Sequence, residues 1–450
     1  MIERAGPTDR AFLAMGSARV PEQFGVVLTL ERSGTLEINR LRDLIADRIH
    51  AVPRLRQRLV RVPFGCGGPV WVDDPAFDIR THVREMPCPA PGDEVALLDC
   101  ALSVVRTPLP GSAPLWAAVL VTGLSTDGFA LVVVLHHVLA DGVGGLAVLA
   151  GIIDTPAEAP RADFPRPAPT HSELARDAAN RRLRALRHSA RSLCSLRRSV
   201  WAAGGWCPAR AAHSMLNRRT GPHVRIAVVR VDLTDLRALA HRHGASVNDA
   251  VLVGVAAGLH DVLLAQGERL DPIVVTVPVS GRRAGSGDDL GNMVSPMLVQ
   301  VPTSGTVTDR LRQVTAQVQD HRTAATGPPP IAVLGWLFRP LAAVGGFRWY
   351  MNHQRRFHTL VSHVRGPAER VAFDGLYVTS ATPIAVGPGG NTPVYFEILS
   401  YANTLTITIA VDPETFPYLP ELSAAIHKTL DSMTEPANTR TDGVARRAGQ

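Results

Sequence analysis

Two adjacent histidines, His136 and His137, stand at the end of the apolar run Phe129–Leu135; Asp141 lies four residues past the second, with Gly142 next. A neutral imidazole can take a proton from a hydroxyl or thiol near neutral pH. Adjacent side chains on an extended chain point to opposite sides. One ring can therefore face a cavity while the other packs inward. Asp141 can hold the connecting loop by pairing with an arginine, and Gly142 permits a tight or left-handed backbone. The bland alternative is a strand end with two satisfied histidines and a turn. Two His, an Asp and a Gly at fixed offsets after a buried strand argue against it.

Those residues need a scaffold. Phe129–Leu135 has the length and β-branched content of a buried strand, and a stretch of helical spacing follows Gly142. Upstream, Gln23–Glu31 reads as a strand, and Leu41, Leu44, Ile45 and Ile49 mark an amphipathic helix. Pro69–Asp78 reads as a strand, Glu94–Val105 as a helix, and Ala117–Val121 as a strand beside the one carrying the histidines. Residues 155–170 are rich in Pro and Ala, as in a linker or surface excursion. An arginine-dense helical stretch follows. It reads either as a solvated face or as a basic amphipathic helix on anionic lipid, with Leu183, Leu186, Leu193 and Leu196 near one face and Trp201 and Trp206 beyond.

The second half opens with a strand at Val224–Leu233 and a short helix ending at Gly244, faintly echoing Gln23–His50. Ser246 starts a long apolar helix through Leu264, and Val307–Arg322 is a second helix. Strands are expected at Pro272–Val279, Met297–Val301, Thr359–Val364, Ala372–Thr379, Val394–Leu399 and Leu405–Val411. Alternating strands and helices in both halves predict an α/β architecture. The expected organisation is residues 1–154 as a first domain, 155–217 as linker and Arg-rich segment, 218–433 as a second domain, and 434–450 as a disordered tail.

HHVLADG resembles the HHxxxDG signature of coenzyme A-dependent acyltransferases of the chloramphenicol acetyltransferase type and of peptide-synthetase condensation domains. The flanks narrow the likeness. PLW at Pro114, Leu115 and Trp116, VND at Val247–Asp249 and LGNMVSPM from Leu290 resemble the bacterial wax ester synthase/diacylglycerol acyltransferase family. The likeness runs from PTDRAF near the N-terminus to SYAN at Ser400–Asn403. It implies two chloramphenicol acetyltransferase-like domains, mixed sheets flanked by helices, with the active site in a tunnel between them. It also implies transfer of a long acyl group from acyl-coenzyme A to a lipid alcohol, diacylglycerol first and fatty alcohol second. His137 would then be the general base, with no acyl-enzyme and no bound cofactor or metal. His136 is a weaker candidate. In related enzymes the motif's Asp pairs with an arginine, for which Arg282 and Arg365 are both candidates.

Other motif positions have competing readings. Ser246-Val-Asn-Asp249 is a capping box before a helix, which alone would explain Asp249, whereas the likeness marks Asn248 and Asp249 as active-site support. A Trp after Pro114 at a strand start points to packing by Trp116. Gly291 and Asn292 match the family's GN segment and would line the tunnel. VSHVRGP places His363 where the family has Asn, a departure that bears on the acceptor. The alternatives are a same-fold enzyme with another acceptor or donor, such as a condensation domain, or a catalytically weak, membrane-associated lipid-binding relative.

The formal net charge is 47 − 40 = +7, and Lys428 is the only lysine. A positive balance suits an anionic membrane or lipid-droplet surface or a coenzyme A phosphate. Neither zinc-ligand spacing nor an RNA-binding aromatic motif accompanies it, so nucleic acid is not an expected partner. Five cysteines, odd in number and without a CxxC pair, point to a reducing compartment. The N-terminus lacks an export signal core, and no apolar run reaches the ~18–20 residues of a spanning helix. The expectation is a cytoplasmic protein peripherally associated with membrane. Gly335–Phe357, which mixes aromatics, aliphatics and arginines, reads either as a core helix with a basic loop or as an interfacial patch.

Overall fold

The computed structural model describes residues 2–17, 20–31, 36–126, 128–152, 163–187, 210–280, 294–324, 341–342 and 344–434. Gly291, Asn292, Arg282, the tail beyond 434, and Leu193, Leu196, Trp201 and Trp206 lie outside them.

In the first half, helix α1 (Pro7–Met15) precedes strand β1 (Gln23–Leu30) and helix α2 (Ile38–Arg48). A small hairpin of β2 (Gln57–Val60) and β3 (Val70–Asp73) follows, then a one-turn helix α3 (Ile79–His82), β4 (Val83–Pro87) and α4 (Glu94–Arg106). Strands β5 (Trp116–Thr122) and β6 (Phe129–His136) lead into α5 (Gly142–Ile152) and α6 (His171–Arg187). The second half runs β7 (Arg225–Asp232), α7 (Leu233–Arg242), α8 (Val247–Ala265), β8 (Ile273–Ser280), β9 (Val294–Val301), α9 (Val307–Ala324) and α10 (Gly346–His353). It ends with β10 (Thr359–Arg365), β11 (Ala372–Phe373), β12 (Leu376–Ala385), β13 (Val394–Tyr401), β14 (Thr404–Val411) and α11 (Leu419–Thr434).

Two mixed six-stranded sheets result, ordered β11-β12-β1-β6-β5-β4 and β7-β14-β13-β10-β8-β9. Strand β6 is central in the first sheet and buried on both faces. Leu131, Val133 and Leu135 pack with α2 and α5, while Ala130, Val132 and Val134 pack with α4. That two-sided burial explains its unbroken apolar run. In the second sheet the helix-bearing face buries Val361, Phe396 and Ile398 against α8 and α11.

The halves are interlocked. Strands β11 and β12 come late in the chain, inside the stretch expected to form the second domain, yet β12 pairs antiparallel with β1 in the first sheet. The Tyr401 hydroxyl on β13 donates to the Val378 carbonyl on β12, at 2.9 Å. The histidine-bearing half also touches the second sheet directly. A Cβ at Gly142 would stand 2.7 Å from Cγ2 of Val364 on β10. Gly142 is not in the left-handed region; it meets a demand for space, not the backbone demand expected of it.

Three further expectations are corrected. Ala372–Thr379 is not one strand, because Asp374 and Gly375 both take positive φ and turn it into the hairpin β11–β12. Pro69–Asp78 is not one strand either: β3 stops at Asp73, and Asp78 caps α3 by accepting from the Arg80 N–H. Helix α8 does reach the length and apolarity of a membrane span, but it is a mostly buried core helix. In α6, Leu174 and Ala178 are buried, Asp177 pairs with Arg4 at 2.7 Å, and Leu183 is exposed.

The Gly142 contact should be measurable. Gly142→Ala is expected to cost about 1–3 kcal/mol of stability through overpacking. Gly142→Ala combined with Val364→Ala should recover part of that loss. Denaturant titration of the parent, both single variants and the double variant reads the coupling, which should be absent if the two residues do not touch.

Candidate active site at the histidine loop

Four consecutive backbone donors, from His136 to Leu139, are satisfied where β6 ends. The His136 N–H bonds the Leu115 carbonyl at 3.1 Å, the His137 N–H bonds the Glu22 carbonyl at 2.8 Å, and the Leu139 N–H returns to the His136 carbonyl at 2.8 Å. The Val138 N–H donates to Nδ1 of His136 at 3.0 Å. Asp141 is buried and caps α5: its Oδ1 accepts from the Gly144 N–H at 2.8 Å and its carbonyl from the Gly145 N–H at 2.7 Å. Strand, loop and helix are thus tied together around the two rings.

The His137 ring lies between two aromatics. Phe12 of α1 stacks on it with centroids 4.9 Å apart and planes 15° apart. Phe24 of β1 lies tilted at 4.6 Å. Phe24 is in turn pressed by α5, where a Cβ at Gly145 would come within 2.8 Å of Cε2. Desolvation, with a smaller contribution from His136, lowers His137 from an ordinary 6.5 to about 3. Burial lowers His136 to about 4. Burial also raises the Glu22 carboxyl to about 7. As whole residues His136 and His137, like Phe12, Glu22 and Phe24, are only half-buried, although Nδ1 of His137 is closed off from solvent.

The remaining sequence-predicted residues fall at several places in the fold, and only some of them meet this loop. The Leu115 carbonyl holds His136. Trp116 is buried, stacks on His82 at 4.7 Å and 12°, and donates Nε1–H to the Leu55 carbonyl at 2.7 Å. The Trp116 N–H bonds the Pro114 carbonyl at 3.0 Å. Ser246 and Asp249 form a reciprocal cap on α8, and Asp249 also accepts from the Thr315 hydroxyl at 3.2 Å. Asn248 is half-buried in the first turn of that helix. His363 registers with Ile398 and alternates with Val361, which places it on the helix-bearing face of the second sheet. The histidine loop meets the opposite face, through Gly142 and Val364, so His363 and His137 are not brought together on one face. Burial, then the charge of Arg365, lowers His363 to about 4. Arg365 itself is exposed at the end of β10.

Sequence reasoning missed Phe12, Glu22 and Phe24. PTDRAF carried only a family likeness, and nothing local shows that a first-helix Phe reaches a strand more than a hundred residues later. Among the described residues no group of three His, Cys, Asp or Glu side chains is placed to hold a metal ion.

Comparison with known proteins places this geometry. Residues 6–251 match the family model for the wax ester synthase/diacylglycerol acyltransferase catalytic domain, and residues 290–434 match that for the WS/DGAT C-terminal domain. A Mycobacterium tuberculosis protein named as a probable diacylglycerol O-acyltransferase is 28% identical over 425 residues, covering 90% of this chain and 89% of its own. A second chain of that organism, named provisionally for the same activity, is 29% identical over 410 residues, covering 86% of each. Among solved structures, the wax ester synthase/diacylglycerol acyltransferase from Marinobacter aquaeolei VT8 superposes with a TM-score of 0.66 at 20% identity, covering 96% of this chain and 98% of its own. The first condensation domain of the CDA synthetase superposes with a TM-score of 0.65 at 16% identity, covering 96% of each. The overall fold is therefore shared with these structures, and with both family models spanning most of its length the chain belongs to the wax ester synthase/diacylglycerol acyltransferase family of acyltransferases.

Proposed function

We propose that this acyltransferase moves a long-chain acyl group from acyl-coenzyme A to diacylglycerol, and also to a fatty alcohol, with His137 as general base. The observation that carries the reading is His137, half-buried at the end of β6: its backbone is fixed by the bond to Glu22 and its ring is flanked by Phe12 and Phe24. A related starter condensation domain, that of rhizomide synthetase, has been solved with C8-CoA, at a TM-score of 0.62 and 14% identity over 96% of this chain and 94% of its own. A coenzyme A thioester is the donor proposed here too.

In the proposed step His137 takes the proton of the acceptor hydroxyl as its oxygen attacks the thioester carbonyl carbon. The tetrahedral intermediate collapses, the C–S bond breaks, and the imidazolium returns its proton to the leaving thiolate. A ring held near 3 is always neutral at working pH, so it is ready to accept, but it is a weak base. Proton transfer is therefore coupled to attack, because the oxyanion forming beside the ring stabilises the imidazolium in a low-dielectric site. His136 is the poorer base. Its Nδ1 lone pair already accepts from Val138, so the neutral ring carries its proton on Nε2 and can only donate there.

Helix α10 is the proposed contact with lipid. Trp349 is 65% and Val344 81% exposed, and Arg348 and Arg355 are exposed nearby, which suits an anionic surface.

Three outcomes test this. His137→Gln should lower kcat by ~10²–10⁴-fold with palmitoyl-coenzyme A and diacylglycerol, read as thiol release; a parent-like rate removes His137 as the base. The depressed His137 also links stability to pH. The unfolded ring binds a proton near 6.5 and the folded one near 3, so its contribution is present above 6.5 and lost as pH falls toward 3. Melting temperature should accordingly fall less steeply from pH 6.5 to pH 4 in His137→Gln than in the parent. Trp349→Ala should weaken binding to anionic vesicles by about tenfold, as expected when an aromatic side chain loses its apolar burial; unchanged sedimentation with vesicles would exclude α10 as the contact.

A further inference from the structure

The face of the second sheet turned toward the histidine loop carries a serine–carboxyl pair that the acyl-transfer step above does not use. Two contacts locate it. On β10, Val364 meets Gly142 of the histidine loop. On β13, the buried Tyr395 donates its hydroxyl to the Ala385 carbonyl at 3.1 Å, and Ala385 pairs with Phe24, whose ring lies on His137. Ser362 stands two residues before Val364, and Glu397 stands two residues after Tyr395. Strand alternation puts both on this same face.

Ser362 and Glu397 are direct register partners, and the Ser362 hydroxyl offsets part of the burial that raises the Glu397 carboxyl. They therefore lie between the two anchor points, across from the loop that presents His137. On this face Val364, Leu399 and Tyr401 pack into the core shared with the first half, and Thr408, the β14 partner of Glu397, has its hydroxyl committed to the Pro383 carbonyl at 2.6 Å. Both Ser362 and Glu397 are half-buried, whereas Phe396 and Ile398 on the other face are closed off. A carboxyl withdrawn from water is costly unless something uses it. Burial pushes Glu397 up to about 8, so at neutral pH it is mostly the protonated acid and can donate as well as accept.

We propose that Ser362 and Glu397 form a polar subsite that receives the ester-bearing glycerol head of the acceptor, with Glu397 setting acceptor preference. This rests on the acyl-transfer reading above. The acid O–H donates to an acylglycerol ester carbonyl, and its carbonyl oxygen and the Ser362 hydroxyl complete the contact. A simple fatty alcohol offers only its reacting hydroxyl and no ester carbonyl. The pair thus discriminates between the two acceptor classes.

The test is calorimetric binding of dioctanoylglycerol to the full chain without acyl donor, followed by turnover. Glu397→Leu removes the polar group, and Glu397→Gln keeps shape and a donor. The expected result is a Kd about tenfold higher for Glu397→Leu and within about threefold of the parent for Glu397→Gln, matching one hydrogen bond to a buried group. The ratio of kcat/KM for dioctanoylglycerol over hexadecanol should fall about tenfold in Glu397→Leu, chiefly through KM. Ser362→Ala, a milder change, gives the same direction if Glu397→Leu does not fold. Equal affinities across these variants, or no binding by the parent, overturns the subsite, as does an equal loss for both acceptors. Binding that follows the expected order in a parent that releases no thiol upholds the subsite while the acyl-transfer reading fails.

Discussion

The hydrogen bond from the His137 N–H to the Glu22 carbonyl is the link on which the site depends. It falls where β6 stops pairing in register with β1, one residue past the last ladder pair, Gln23 with His136. A buried backbone donor without a partner costs about as much as a lost hydrogen bond. The chain therefore leaves β6 along a course on which the N–H groups of residues 136–139 are received by Leu115, by Glu22 and by the His136 ring and carbonyl, and those of Gly144 and Gly145 by Asp141. Moving any one of these partners would move the rings. This makes Asp141 a positioning residue whatever else it contacts, because its carboxylate fixes the start of α5 and hence the far end of the loop.

Holding a histidine this way has an electrostatic consequence. The aromatic sandwich of Phe12 and Phe24 that orients the ring also strips it of water and depresses its basicity. Such a ring gains nothing by resting protonated and is never lost to acid at working pH. The free energy of forming the imidazolium must come from charge that appears only during reaction, which is differential stabilisation of the transition state. The same burial raises the Glu22 carboxyl to about 7 and that of Glu397 to about 8, which lessens the fixed charge they carry near neutral pH.

Much of the fold was legible in the sequence because period and length report burial directly. The Phe129–Leu135 run, the Ser246 capping box and the Val307 helix appear where expected, within a residue or two. What was not legible depends on long-range neighbours. Asp374-Gly375 is a hairpin signal that the flanking apolar residues masked, so one strand was read where two exist. The helix α8 resembles a membrane span because a helix buried all round by other helices and strands carries the same composition. At the site, His136, His137 and Asp141 announce themselves by spacing. Phe12, Phe24 and Glu22 do not, since their role comes from packing across sequence distance. His363 was read as a substitution within a motif; its face on β10 follows only from the register with β13.

The glycines explain why so interlocked a structure needs this motif and not merely its histidines. Gly142 lets α5 approach Val364 of the second sheet, and Gly145 lets the same helix press Phe24 onto His137. A methyl at either position would stand within 3 Å of its neighbour. Protein interiors are packed too densely to absorb such a displacement locally. The helix would back away, carrying the Asp141 cap and the loop with it. One short helix thus sets two distances at once, that between the halves and that between the aromatic and the imidazole. Strand β12 holds the second sheet to β1 at the same level, through Ala385 and Phe24. The spacing between the imidazole and the opposite wall is therefore fixed from two sides, by close packing at α5 and by a hydrogen-bonded ladder at β12, so neither half can set it alone.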